Sequence, residues 1–429
     1  METIKNNEGH ISSLHPWRGG RGEVFLNRTK GDKVIWAIVI LLTLVSILVV
    51  YSSIGSLAYK MNKSTESYLF KQIAFIALGV LIIYFAHRVN YTIYSRVATI
   101  LFLLSIPLLF YTLKFGSSIN DANRWIKLPV INMTFQTSDL AKLALFMYIS
   151  KQLSRKQNVI KDFKKGFLPM IIPVTIICLL IAPANLSTAV LVGGTALMLM
   201  FIGRVKTRHI LLTIGLALIP VISLIIISKT YYDKEQHKTK DLPAVLSVGR
   251  MPTWIKRVQD FMYADKAQAS YQVQQAKIAI AKGGWFGKGP GKSEQRNFLP
   301  HPYSDFIYAI IIEEYGLVGG AIIMFIYLWF LFRSIRLFQR CPYAFGAFLA
   351  VALSFTLVIQ AMVNMAVNVN VFPTTGVTLP LVSMGGSSLW FTCFAIGIIL
   401  SVARNVEQME GKTVMVEDEE ETEYIPGGA

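Results

Sequence analysis

Runs of about twenty apolar residues recur along this chain, and no other feature of the sequence limits its fold so sharply. A run of that length crosses the ~30 Å hydrocarbon layer of a bilayer as one α-helix. In that layer every backbone polar group must be satisfied internally, so only helices and closed barrels span it. The runs are continuous rather than alternating, which argues against a β-barrel. Of 429 residues, 53% are hydrophobic and 16% charged, and that low charge excludes an ordinary water-soluble domain. The sequence therefore predicts an all-α polytopic integral membrane protein.

Ten spans are predicted, at roughly 34–56, 69–88, 93–114, 138–153, 167–183, 187–203, 208–228, 305–332, 344–371 and 383–404. The fourth contains Asp139 and Lys142. The ninth contains Asn364, Asn368 and Asn370, so its end is expected to be irregular. Lys and Arg in the short connections set the orientation. They gather at Arg88 and Arg96, at Lys151 to Lys165, at Arg204 to Arg208 and at Arg333 to Arg340, always after an even-numbered span. That side is expected to be the cytoplasm. Both termini then lie inside, and a large loop at about 229–304 lies outside. The net charge of +17 reads as topology rather than nucleic-acid binding, since no basic helix, zinc finger or RNA-binding pattern accompanies it.

The predicted organisation is a polar N-terminal tail (1–33), a membrane domain (34–404) and an acidic C-terminal tail (405–429). The first tail is polar and carries Arg18, Arg21 and Arg28, so no cleavable signal peptide is expected. The second contains the run Glu417 to Glu421, of a kind usually solvated and without structure. Cys178, Cys341 and Cys393 are odd in number and match no zinc spacing, so free thiols are expected.

Several groups could carry chemistry. Asp305 sits where the outer loop meets the eighth span, a place suited to a general base, an ion ligand or a proton carrier. The position equally fits a first-turn acid behind a Ser304 cap. The loop from Tyr271 to Ser293 begins as an amphipathic, helix-compatible stretch and ends in a Gly-rich turn with Lys288 and Lys292. The N–H groups of such a turn can cradle an anion, and its lysines would suit a phosphate or pyrophosphate. It is not a nucleotide P-loop, because it lacks GxxxxGK[ST], and an ordinary surface loop also fits. Glu313 and Glu314 lie about two turns beyond Asp305, so at least one must face protein or a wet cavity. Asp139 and Lys142 are spaced to share a helix face and pair. Arg124 and Trp125 are expected at the outer interface. Pro373 to Ser388 is too rich in Pro, Gly and hydroxyls for a plain helix and reads as a broken or re-entrant segment lining a cavity or packed in protein.

Together these blocks resemble the SEDS family of peptidoglycan polymerases (shape, elongation, division, sporulation), which includes FtsW and RodA. The matching blocks are Arg124-Trp125-Ile126 with Phe135 to Lys142, Gly283 to Ser293, Phe298 through Asp305 to Leu317, and Pro373 to Ser388. Two blocks depart from the family: Thr137-Ser138-Asp139 replaces its Pro-Ser-Glu, and Pro183-Ala184-Asn185-Leu186-Ser187-Thr188 lacks the acid of its Pro-Asp-Leu-Gly-Thr. The Pro373 to Pro380 wording is closer to the division branch, FtsW, than to RodA.

The resemblance implies a ten-helix, GT-C-like glycosyltransferase in the bacterial inner membrane. It would polymerise lipid II into glycan strands at the outer face during cell division. The family's essential acid falls on Asp305 and its conserved Lys on Lys142. Lipid II and the growing strand are the implied ligands. A class B penicillin-binding protein transpeptidase and other division proteins are the implied partners, with no nucleic acid. In this reading Asp305 takes the proton of the attacking hydroxyl. Lys277, Lys288, Lys292 and Arg250, with the Gly287 and Gly289 backbone, would hold the departing pyrophosphate. Arg124, Lys142 and Ser387 would complete the substrate site. A divalent cation, Mg or Mn, could assist, although no ligand cluster marks its place. A lipid II flippase, an elongation-type polymerase and a non-enzymatic division scaffold remain open alternatives.

Overall fold

The computed structural model describes residues 31–60, 65–119, 122–128, 133–233, 238–239, 242–243, 246–247, 249–263 and 271–423. Residues 1–30 of the expected N-terminal tail and 424–429 of the C-terminal one lie outside the described residues. The helices are α1 (Lys33–Lys60), α2 (Thr65–Arg88), α3 (Tyr91–Phe115), α4 (Thr137–Arg155), α5 (Leu168–Ile181), α6 (Leu186–Ile202), α7 (Thr207–Thr230), α8 (Met251–Met262), α9 (Tyr271–Gly283), α10 (Ile307–Arg340), α11 (Ala344–Asn368) and α12 (Ser387–Glu423). All but α8 and α9 match the predicted spans. Among the described residues eight helices are long and apolar enough to cross a membrane, and α6 is a shorter apolar helix. The tenth is α4, whose apolar run is interrupted by Asp139, Lys142 and Lys151.

The bundle is organised around α11. In its apolar window 83% of residues are buried, against 6% in α7, so α11 is the axis and α7 a flank left to lipid. Around α11 pack α10, α4, α12 and α6, while α2 covers α12 and α3 covers α4. Between α3 and α4 an antiparallel meander forms from β1 (Ser117–Ile119), β2 (Ala122–Leu128) and β3 (Met133–Gln136). No strand was expected there. Trp125 pairs with Gln136 and Ile126 with Phe135. Successive side chains of a strand alternate faces, so Arg124 and Trp125 point to opposite sides of the meander.

The tail expectation is corrected at the C-terminus, where α12 continues through the acidic run to Glu423. Its first turns are buried and already nucleated, and Glu, Met and Lys are good helix formers, so elongation is cheap. The predicted eighth span is also shifted: α10 starts at Ile307 and extends to Arg340.

Inside α10 the helix breaks at Gly316, with φ 72° and ψ −176°. Leu317 and Val318 donate their N–H groups to the Gly284 and Trp285 carbonyls, at 2.9 and 3.2 Å. The Glu313 and Glu314 carbonyls accept instead from Lys288 and Gly289, at 3.0 and 2.9 Å. The loop after α9 thus replaces two internal helix bonds with four bonds to itself. Only glycines permit this approach. A Cβ on Gly316 would stand 2.1 Å from the Trp285 carbonyl oxygen, and one on Gly287 2.2 Å from that of Glu314.

Candidate active site

Asp305 lies in a turn just before α10, with Phe306 at the cap position. The expectation of a first-turn acid behind a Ser304 cap is therefore corrected. Ser304 instead donates its hydroxyl to Asp305 Oδ1 at 2.9 Å. The N–H of Ala309 is shared between the Phe306 carbonyl and Asn368 Oδ1 of α11, each at 3.1 Å, so Asn368 supplies the side-chain acceptor that Phe306 lacks. The turn is held carbonyl by carbonyl. Tyr303 accepts from the Met384 N–H at 2.9 Å and Ser304 from the Ser383 hydroxyl at 2.7 Å. Asp305 accepts from the carboxamides of Asn364 and Asn368, each at 3.0 Å.

The irregular segment after α11 forms the wall beside Asp305, and its interior is buried as expected at Leu379, Val382 and Ser383. Its carbonyls find side-chain donors in place of a helix ladder. Val377 accepts from Asn364 at 2.7 Å, Thr378 from Gln360 at 3.0 Å and Val382 from Ser46 at 2.8 Å, while Pro380 accepts from the Tyr327 hydroxyl. That accounting makes irregular backbone tolerable at this depth.

Gly376, in the same segment, touches both charges of the site. A Cβ built there would lie 3.6 Å from Asp305 Oδ2 and 3.7 Å from Arg124 Nη1. Arg124 reaches this point from β2 and donates through Nε to the Ala184 carbonyl at 2.9 Å. Arg250, at the start of α8, donates to the same carbonyl. Arg257, on α8, donates to the Thr374 carbonyl at 3.1 Å. Asn185 next to Ala184 accepts from the Thr188 N–H and caps α6.

Two guanidiniums, Arg124 and Arg257, thus feel one carboxylate, and Arg250 lies beside them. Burial, then Arg250 and Arg257, push Arg124 down to about 10, and Asp305 opposes the shift. Burial and Arg250 likewise lower Arg257, again against Asp305. Among the described residues, Arg124 and Arg257 set two guanidiniums in the field of the single Asp305 carboxylate, an arrangement that suits an anion.

Of the expected arginines, Arg124 lies within reach of the Asp305 charge, and Arg250 joins it at the Ala184 carbonyl. Arg257 was missed, although Met251, Trp254, Ile255, Val258 and Met262 follow a helical period that would have placed it on the polar face of α8.

Other expected residues serve elsewhere. Lys142 pairs with Asp139 at 2.7 Å and donates to Gln360 at 3.3 Å. Ser388 donates to Asp139, and Ser387 accepts from the Gln136 N–H at 3.1 Å. Lys142 and Ser387 thus tie the segment after α11 to α4, and the charge of Lys142 already has a partner. The anion cradle is corrected as well. The N–H groups of Gly287, Lys288 and Gly289 are all donated to carbonyls, and Lys288 pairs with Glu294 at 2.8 Å. Glu313 and Glu314 are both fully buried. Glu313 accepts from Ser293, Glu294 and Gln295, and Glu314 accepts from Ser52. Lys292 is exposed on the loop and Lys277 half-buried on α9. The charges acting on Arg124 are those of Arg250, Arg257 and Asp305, and those on Arg257 are Arg250 and Asp305, with no lysine of the loop among them. Among the described residues no group of three or more His, Cys, Asp or Glu side chains could hold a metal ion.

Comparison with known proteins follows the same lines. The family model for FtsW, RodA and SpoVE, described as cell cycle protein, matches residues 32–408. The probable peptidoglycan glycosyltransferase FtsW of Geobacter sp. (strain M18) is 32% identical over 385 residues, covering 88% of this chain and 98% of that protein. Stage V sporulation protein E of Bacillus subtilis (strain 168) is 30% identical, with the same coverage of each. A solved chain from work on structural coordination of polymerization and crosslinking by a peptidoglycan synthase complex superposes with TM-score 0.68 at 23% identity, over 88% of this chain and 99% of that one. Thermus thermophilus rod shape determining protein RodA superposes with TM-score 0.60 at 22% identity, over 88% and 98%. At these identities the two structures speak for the fold.

Proposed function

The chain belongs to the FtsW, RodA and SpoVE family of cell cycle proteins, and from that premise we propose that it is a peptidoglycan glycosyltransferase whose Asp305 and arginine cluster join lipid II units into glycan strands. The observation that carries this reading is the convergence of the Asp305 carboxylate and the Arg124 guanidinium on Gly376, 3.6 and 3.7 Å from a Cβ built there. A sugar hydroxyl is a poor nucleophile. Asp305 takes its proton as the oxygen attacks the anomeric carbon of the donor, a new glycosidic bond forms, and the bond to the lipid pyrophosphate breaks. A positioned base contributes about 10²–10⁴ in rate. The leaving pyrophosphate keeps the bonding electrons, and Arg124, Arg250 and Arg257 receive that charge. Direct displacement inverts the anomeric centre.

The Lys and Arg of the short loops support a site at the outer face of the bacterial inner membrane, with both termini in the cytoplasm. The FtsW relatives and the Pro373 to Pro380 wording support a role in cell division. The structural neighbour from a synthase complex supports a crosslinking partner, of the class B penicillin-binding type.

The test is to place the purified protein in vesicles holding lipid II and measure polymer and translocation in parallel. Glycan strands without transbilayer movement support the polymerase. Movement without strands would make the protein a flippase.

A further inference from the structure

We infer that Asn364 and Asn368 are positioning residues for the glycosyl transfer: two stacked carboxamides on the central helix hold the Asp305 turn in its reactive geometry. The inference rests on the general-base reading of Asp305 given above.

A turn has no ladder of its own to fix a side chain, so the aim of Asp305 depends on what grips its backbone. The gripping residues are one helical turn apart on α11, the buried axis of the bundle. Each is only 1% exposed, so neither can touch a lipid-linked sugar. Every N–H of the two amides is spent on a carbonyl. Asn364 donates to Asp305 and Val377, and Asn368 donates to Asp305 and to the carbonyl of Asn364. The remaining Asn368 oxygen accepts from Ala309, the third residue of α10. These partners dictate which way each amide points, since only an NH₂ can meet a carbonyl and only an oxygen can meet an N–H.

Asn368 therefore bonds the chain on both sides of the α10 start, at the Asp305 carbonyl and at the Ala309 N–H. It supplies from a neighbouring helix the cap that Phe306 cannot give. Asn364 joins the same carbonyl to Val377, next to the Gly376 on which Asp305 and Arg124 converge. The base is thereby fixed to the central helix and to the segment whose Thr374 carbonyl accepts from Arg257. A misplacement of about 1 Å costs a reaction of this kind about 100-fold.

The decisive variant is Asn368→Asp, which keeps an oxygen for Ala309 but removes the donor to Asp305. Asn364→Ser is the second variant, and Asp305→Asn is measured beside both. Steady-state polymerisation of lipid II is normalised to monodisperse, folded protein. For Asn368→Asp the expected result is a fall in kcat of about 10- to 100-fold, with KM within about two-fold of wild type. Asn364→Ser, which leaves one donor, is expected to lose about 3- to 10-fold in kcat with KM unchanged, and decides the question if Asn368→Asp does not fold. Wild-type kcat per folded molecule in either variant overturns the brace, and so does a loss confined to KM. If Asp305→Asn is inactive while the asparagine variants are normal, the brace fails and the general-base reading stands. If Asp305→Asn is fully active, that reading fails and the brace falls with it.

Discussion

A carboxylate that accepts a proton and guanidiniums that receive a pyrophosphate make opposite electrostatic demands on the same small volume. Asp305 must stay near the arginines without being consumed by a tight ion pair. Both charges approach Gly376, 3.6 and 3.7 Å from a Cβ built there. Because Arg257 is largely desolvated, Arg257→Ala is expected to lower kcat/KM by about 10²–10³, in the range of a lost oxyanion donor. Steady-state polymerisation of lipid II measures it, and Arg257→Lys should restore only part, since a point charge replaces a planar fork. The pH dependence has a definite sign. Burial and two neighbouring cations hold Arg124 at about 10, below an ordinary arginine. It is charged at neutral pH and loses that charge as pH rises through about 10. KM for lipid II should therefore climb on the alkaline side, and Arg124→Lys should shift that limb. At this scale the sequence was partly legible. Asp305, Arg124 and Arg250 stood beside Gly, Pro and aromatic residues that mark a site. Arg257 stood on the polar face of an amphipathic period, Met251 to Met262, but without a Gly or Pro beside it to mark a site. Asn364 and Asn368 read only as a sign of an irregular helix end, since their acceptors lie tens of residues away in the chain.

Among the elements, the break in α10 shows how a loop can be built into a helix. The φ and ψ of Gly316 fall in a region open essentially to glycine alone. Gly316→Ala is expected to cost about 1–3 kcal/mol in backbone strain. The contact with the Trp285 carbonyl adds to it, because that neighbour is backbone and cannot swing away. A thermal unfolding midpoint of the purified protein checks this, and an unchanged midpoint would mean that the α9 loop is not docked at the break. The ten spans were legible because hydrocarbon thickness writes itself into composition. The meander carrying Arg124 and the docking of the Gly-rich loop were not legible. The docking depends on backbone partners distant in sequence, and glycines that allow close approach look the same as glycines that cradle an anion, while the strands of the meander pair locally and are too short to stand out. The unstructured reading of the acidic run failed for a related reason: charge pattern was weighed above helix continuity from the buried part of α12.

For the whole molecule, the consequence is a site assembled on the buried axis. α11 contributes Gln360, Asn364 and Asn368, the segment after it contributes Gly376, and α10 begins at the catalytic turn. β2 and α8 bring the arginines from outside the bundle. The peripheral helix α7 leaves nearly all of its apolar surface uncovered by the rest of the bundle. The central claim is that Asp305 performs the proton transfer at this junction. It is tested most directly by assaying glycan polymer from purified lipid II with wild type and Asp305→Ala, both shown to be folded by monodisperse elution and an equal unfolding midpoint. The account predicts no detectable polymer from the variant. Polymer at the wild-type rate would contradict it.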